Sequence, residues 1–358
     1  MGIKLFKDLK RPLTHRELDE NFETLSSSSS KVVLGPTMAI SSAFNSIPNT
    51  RKFVGQRPQS GCSVSYTYAK DADVMLRRGT SSSGFFVDEE GNSIKFIYTG
   101  SDMGVVISAD GKWIISVSGS DDICVANAET GQQVYYSSSS FWSGTYMTSI
   151  GGCLIDGEDI YIPGENNGTY YVLKFKIDSA TGVLTPVTRV TTGRTFGSEY
   201  NAYGKDQIVM SDAWDTTNIY NVKTMQSRNL SHPSSINGNG VAFFPIGIDS
   251  DGKAHFICVD GECGSVYDIK NIYVEDNGSL IPHAVSQAVS NQMAAFGEMY
   301  SYNWPLISFT IMELEAGPVY TAHLESNDQT PTVFYNPDTF EFASLSDQNE
   351  ALFITKKA

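Results

Sequence analysis

The sequence of 358 residues has little of what usually staples or anchors a chain. Its five cysteines, Cys62, Cys124, Cys153, Cys258 and Cys263, are too few and too scattered for a disulfide scaffold at this length. Positive charge is scarce as well. Lys and Arg number 25 against 40 Asp and Glu, a net of -15, and no basic cluster follows Lys10-Arg11. Such a chain repels phosphate backbones and anionic surfaces, so nucleic acid is not expected as a partner. No stretch approaches the ~18 apolar residues of a membrane-spanning helix, and membrane insertion is not expected. Met1 to Lys7 lack the apolar core and cleavage site of a signal peptide, so the chain is expected to be made in the cytoplasm and to stay soluble. His15, His232, His255, His283 and His323 follow no metal or triad spacing. Nucleophile-elbow, phosphate-loop and His-Glu-x-x-His patterns are missing too. No metal, cofactor or catalytic residue is therefore assigned, and the chain is read as a non-enzyme. Carboxylates fill most of its turns, so any glycosidase pair drawn from sequence would be arbitrary.

What is present begins with a short capped helix. Thr14 stands where an N-cap hydroxyl accepts from the Glu17 amide, Glu17 can reach back to Thr14, and Leu13 can staple onto Leu18. Leu18, Phe22 and Leu25 then recur at steps of four and three, one apolar stripe on a charged helix. A helix this short needs partners for that stripe. Ser26 to Ser30 follow as a polar run with linker character. Residues 1–30 are thus read as an attachment helix with its linker, and residues 31–358 as a separate body.

The pattern from Arg11-Pro12-Leu13-Thr14 through Glu17-Leu18-Asp19 and Asn21-Phe22 to Leu25 resembles the N-terminal segment of tailed-bacteriophage virion proteins, tail-fibre and tail-spike proteins above all. The resemblance covers about residues 3–25. It implies a homotrimer attached to other tail or baseplate proteins of the virion, made in the host cytoplasm, with a variable distal body.

From about residue 50 onward, short β-branched and aromatic runs alternate with Gly, Asn, Asp and Ser. One unit is clear: Val105–Ile107, an Asp110-Gly111-Lys112 turn, Trp113–Val117, Ile123–Asn127, a Thr130-Gly131 turn and Val134-Tyr135. It returns in 155–186, 204–221 and 251–280, with further strands near 53–100 and 300–345. Four strands per unit and a period of about 45 to 50 residues predict an all-β fold, a β-propeller preceded by the short N-terminal helix. Seven blades fit best and six remain open, with Leu352 to Thr355 available to complete an N-terminal blade; a β-sandwich is the other arrangement compatible with the runs. The Ser108-Ala109-Asp110-Gly111-Lys112-Trp113 stretch with its Thr-Gly turn resembles WD-repeat and YVTN-type blades, and Asp178 to Pro186 and Glu275 to Pro282 resemble lactonase-type propellers. These motifs imply blade architecture and no active site.

Two local expectations can be checked. Phe256 to Cys263 reads as a hairpin turning at Asp260-Gly261, which would set Cys258 opposite Cys263, within reach of an optional disulfide. Asp249-Ser250-Asp251-Gly252 starts like a calcium loop, but its Gly and terminal acid are misplaced and a β-turn is expected.

Recognition is expected from aromatic side chains in polar loops, which stack on sugars or fill a partner's pockets at low entropic cost. The candidates are Phe141, Trp142, Tyr146, Trp214, Tyr302 and Trp304, with Trp142 foremost and inter-sheet core as the competing role for Trp214 and Trp304. Taken together, the sequence reads as a tail-fibre or tail-tip component whose propeller recognises a host surface glycan or protein. A structural collar, baseplate or decoration subunit without receptor binding is the alternative, and a propeller hydrolase is a more distant one.

Overall fold

A computed structural model describes residues 52–54, 64–69, 74–79, 83–87, 93–98, 105–117, 122–147, 153–192, 200–211, 216–234, 241–260, 266–298, 307–314, 317–324, 332–345 and 351–353. The attachment helix, with Leu13, Thr14, Glu17, Leu18, Phe22 and Leu25, lies outside the described residues, as do Trp214, Tyr302 and Trp304.

After β1 (Lys52–Val54), the chain lays down six antiparallel units of four principal strands among the described residues. Unit 1 is β2 (Val64–Ala69), β3 (Val74–Gly79), β4 (Ser83–Val87) and β5 (Ser93–Tyr98). Unit 2 is β6 (Val105–Ile107), β7 (Trp113–Val117), β8 (Asp122–Asn127) and β9 (Gln133–Ser137). In unit 3 the first strand is interrupted: β10 (Tyr146–Met147) and β11 (Leu154–Asp156) both pair with β12 (Asp159–Asn166), followed by β13 (Thr169–Ile177) and β14 (Leu184–Thr191). Unit 4 is β15 (Tyr200–Gly204), β16 (Gln207–Ser211), β17 (Thr216–Asn221) and β18 (Gln226–Ser231). Unit 5 is β19 (Val241–Ile248), β20 (Ala254–Asp260), β21 (Asn271–Asp276) and β22 (Ser279–Ala284). Unit 6 is β23 (Ile307–Leu314), β24 (Gly317–Leu324), β25 (Thr332–Asn336) and β26 (Glu341–Leu345).

Burial falls from the first strand of a unit to its fourth. All of β19 is buried, whereas β14, β18 and β22 are mostly exposed. Strand β15 lies beside β19 and β23, and β2 of the first unit lies against both β6 and β23. First strands inside, fourth strands on the rim, and the first unit beside the last make the chain a β-propeller. The C-terminal strand β27 (Ala351–Phe353) pairs with β1, Lys52 opposite Phe353, as a separate two-stranded sheet.

Apolar clusters fill the spaces between sheets. Ile115, Val125, Leu173 and Phe175 join units 2 and 3. Tyr161, Val172, Ile208 and Tyr220 join units 3 and 4, and a larger cluster around Phe243, Phe256, Tyr320 and Phe342 joins units 4 to 6. A helix that periodicity did not single out, α2 (Gln287–Glu298), follows the shorter α1 (Ser138–Phe141) in chain order and lies along the rim strand β26. Ser286 caps it by accepting from the Val289 amide, and Val289 and Met293 enter the core.

The hairpin expected at Asp260-Gly261 is wider than the sequence implied. Val259 bridges Val266 and the Tyr267 amide donates to the Cys258 carbonyl, so Tyr267 stands opposite buried Cys258; Cys263 lies outside the described residues. Asp and Gly are common in wider loops too, so the dipeptide did not fix the loop length.

Candidate functional site

The two faces of the ring are built differently. On one face lie the connections from first to second and from third to fourth strand, and those among the described residues are short turns with fixed geometry. Four third-to-fourth turns repeat one device. Asn127 Oδ1 accepts from the amides of Glu129 and Thr130, and Asp178 Oδ1 from those of Ala180 and Thr181. Asn221 Oδ1 accepts from Lys223 and Thr224, and Asn336 Oδ1 from Asp338 and Thr339. Each turn then needs one left-handed residue, which is Gly131, Gly182, Met225 or Phe340. Unit 5 replaces the device with Asn277-Gly278, both at positive φ.

These turns also tie neighbouring units together. Trp113 Nε1 donates to the Ser179 carbonyl at 3.0 Å, and a Cβ on Gly182 would fall 2.4 Å from the Trp113 ring. Lys223 pairs with Asp156. Arg228 grips Glu275 through Nε and Nη2 at 2.6 and 2.8 Å, and its Nη2 also donates to Gln207. Ser250 donates to Asp338 from both its amide and its hydroxyl, at 2.7 and 2.6 Å. The Asp249 to Gly252 stretch is one of these turns, as its misplaced Gly and acid implied: Asp249 Oδ1 accepts from the amides of Asp251 and Lys253.

Two side-chain chains of a type used in catalysis are structural. Asp249 Oδ2 lies 3.2 Å from His255 Nε2, and His255 Nδ1 lies 2.6 Å from the Tyr335 hydroxyl. His255 and Tyr335 are fully buried, and burial pushes the Tyr335 hydroxyl well above its ordinary pKa, so it is neither reachable nor ionised. In the second, His232 Nε2 sits 2.9 Å from Thr217 Oγ1, Thr217 donates to Ser211, and Ser211 donates to the Phe243 carbonyl. The hydrogens run towards a backbone carbonyl, so the imidazole is the donor at the head of the chain and takes no proton from Thr217. Among the described residues no group of three or more His, Cys, Asp or Glu is placed to hold a metal ion.

The opposite face carries the second-to-third connections and the longer links between units. The link from unit 2 to unit 3 is the best described. Its α1 and Trp142 fold inward: the Phe141 and Trp142 rings each meet Phe175 edge-on at 5.2 Å, and Tyr136 stacks on Phe141 at 5.7 Å. Both rings remain partly exposed while packing on the cluster between the two units. Phe141 and Trp142 thus come together, and only the backbone pairing of Tyr146 with Glu165 is described for the third member of that loop. Thr145 continues the link as a buried hub. Its amide donates to the Trp142 carbonyl, and its hydroxyl accepts from Arg189 Nη1 at 3.0 Å and from Asn166 Nδ2 at 3.4 Å. The Arg189 guanidinium lies over the Tyr171 ring, 4.9 Å from its centroid. Tyr171, Leu173 and Phe175 share one side of β13, so Arg189, Tyr171 and Trp142 all border the seam between units 2 and 3, Trp142 at Phe175 and Arg189 at Tyr171. Arg189 and Tyr171 carried no signal in the sequence, because only the fold brings 142, 171 and 189 together.

No protein-family model matches the chain, nor does any curated protein sequence. Among solved structures it is similar to the β-propeller domain of Cps50 (Swd1) from Myceliophteria thermophila, at 10% identity and a TM-score of 0.44 over 84% of this chain and 90% of that one. It is likewise similar to U3-55K, at 10% identity and a TM-score of 0.47 over 84% of each chain.

Proposed function

We propose that this chain is a virion protein of a tailed bacteriophage, a tail-fibre or tail-tip component that joins other virion proteins through residues 1–30 and recognises a host surface receptor with its propeller. The N-terminal resemblance supports the first half. The second rests on the asymmetry between the faces: one face is committed to turns that bond unit to unit, while the other carries links whose exposed residues, such as Ser139, Ser140 and Ser143, lie clear of the core. A homotrimer joined by its N-terminal helices presents three such faces, and avidity then compensates for a weak single site.

The test is binding of the full chain to intact cells of candidate hosts, with a loop-face double variant, Ser139→Arg with Ser143→Arg, and a turn-face variant, Glu129→Arg. Saturable binding that the loop-face variant loses and the turn-face variant keeps is the expected result. Folded protein that binds no host overturns the receptor reading in favour of a structural virion subunit.

A further inference from the structure

We propose that the surface at the seam between units 2 and 3 is an acidic-sugar subsite in which Arg189, backed by Tyr171, takes the carboxylate and Trp142 supplies the ring-stacking surface; this deepens the receptor reading and rests on it. The guanidinium is the starting point. Among the described residues Arg228, Lys112, Lys174, Lys176, Lys223 and Lys253 each pair with a carboxylate, in a chain where acids outnumber bases. Arg189 has no carboxylate partner among the described residues; exposed Lys205 and Lys270 also lack one, but Arg189 alone of the three is held by a hydrogen bond and an aromatic ring. Tyr171 supports its plane, and the buried Thr145 hydroxyl fixes one of its nitrogens at 3.0 Å.

A guanidinium carries five N–H donors in a planar fork, and one of them is committed to Thr145. The rest reach solvent, because Arg189 stands exposed on the rim strand β14. A fork already oriented loses little freedom on meeting a planar carboxylate. The neighbouring strand β13 carries no acid, and on β12 beyond it Glu165 turns to the other side of the sheet, where it accepts from the Tyr170 hydroxyl and the Gly168 amide. The chain's net charge of -15 disfavours an anionic ligand at long range, a penalty that salt screens beyond about 8 Å, so at the site the contact with Arg189 decides.

Partly exposed Trp142, whose carbonyl accepts from the amide of the same Thr145 that holds Arg189, defines the rest of the ligand. Aromatic faces pack on the C–H faces of a sugar ring, and a carboxylate on that ring meets the fork. The predicted class is a uronic-acid or similar acidic glycan of the cell surface, bound weakly at each copy.

The experiment titrates the full chain with a short polyglucuronate oligosaccharide, the same oligosaccharide with its carboxylates methyl-esterified, and an oligomer of glycerol phosphate, by calorimetry at low and high salt. Wild-type protein is expected to bind the polyglucuronate alone, more weakly at high salt. Arg189→Gln is expected to lose about tenfold in affinity with an unchanged unfolding midpoint. Arg189→Lys keeps the charge without the fork and is expected to lose nearly as much. Equal binding of the ester, preference for the phosphate oligomer, full affinity in Arg189→Gln, or no binding by folded wild type each overturn the proposal. Cell binding by wild type and Arg189→Gln, measured in parallel, separates the two readings. Equal cell binding by both sinks the acidic-sugar subsite and leaves the receptor reading standing, whereas loss of cell binding by both removes the receptor reading itself.

Discussion

At the scale of single residues, two left-handed positions make the same backbone demand with opposite side-chain consequences. Met225 and Phe340 both have φ 58° in equivalent third-to-fourth turns. A left-handed residue with a Cβ costs about 1–2 kcal/mol, and glycine escapes it at an entropic cost of about 0.5–1 kcal/mol. Met225 is 54% exposed, so Met225→Gly is expected to raise stability by about 0.5–1 kcal/mol, seen as a higher urea midpoint at constant slope. Phe340 lies between His283, stacked at 3.9 Å, and His255 at 5.0 Å. Phe340→Gly therefore relieves the same strain and is expected to destabilise by about 2 kcal/mol, because it removes a partly buried ring from between two units. Gly182 is a third case. Gly182→Ala drives a Cβ into Trp113, and the expected result is a loss of at least about 2 kcal/mol with a changed tryptophan emission.

At the scale of elements, the repeat was legible wherever glycine marked it. Thr130-Gly131 and Thr181-Gly182 announced their turns, but Asn221 to Met225 and Asn336 to Phe340 make the same turn with Met and Phe at the left-handed position. Their sequence signal is the Asn-x-x-Thr spacing, whose physical content is a side-chain oxygen bonding the amides two and three residues on. Asn221→Ala, which strips that acceptor, is expected to cost about 1 kcal/mol, whereas Asn221→Asp keeps it and stays near wild type in the same urea titration. Helix α2 was hidden for another reason: Val289 and Met293 give a one-turn stripe too short to stand out from surrounding strands. The candidate site was half legible. Trp142 was visible as an aromatic in a polar loop, but its inward packing on Phe175 and its association with Tyr171 and Arg189 follow from pairings that no local pattern encodes.

At the scale of the whole molecule, the turn face sets the response to acid. Burial works to raise the Asp249 carboxyl, but His255 and the amides of Lys253 and Asp251 outweigh it and hold it below an ordinary aspartate. Asp178 is lowered by the amide and hydroxyl of Thr181 and the amide of Ala180. Groups depressed in the folded state stabilise it above the unfolded value near 3.8 and lose that contribution as pH falls through the folded one. Stability is thus expected to hold from neutral pH to about 5 as far as these groups are concerned, and to fall below about 4. Asp178→Asn, which installs the residue that units 2, 4 and 6 already use, is expected to keep the turn and shallow the fall when urea midpoints are compared across that range. Removal of residues 1–30 is expected to leave a folded monomer that no longer joins particles; an aggregated product in sedimentation would assign the helix to the body's own core.

The pairing of β1 with β27 also decides how the molecule would carry mechanical load. Three rungs join the strands, and the chain enters at Lys52 and leaves past Phe353 on the same side of the pair. Tension arriving along residues 1–51 acts at Lys52, whereas β27 is joined to unit 6 through its other end, Ala351, opposite Val54, so the three rungs are loaded together in shear. A particle tugged by flow would thus pull on the first and last units at once, and the short sheet would share between them a load that otherwise falls on the strand after β1 alone.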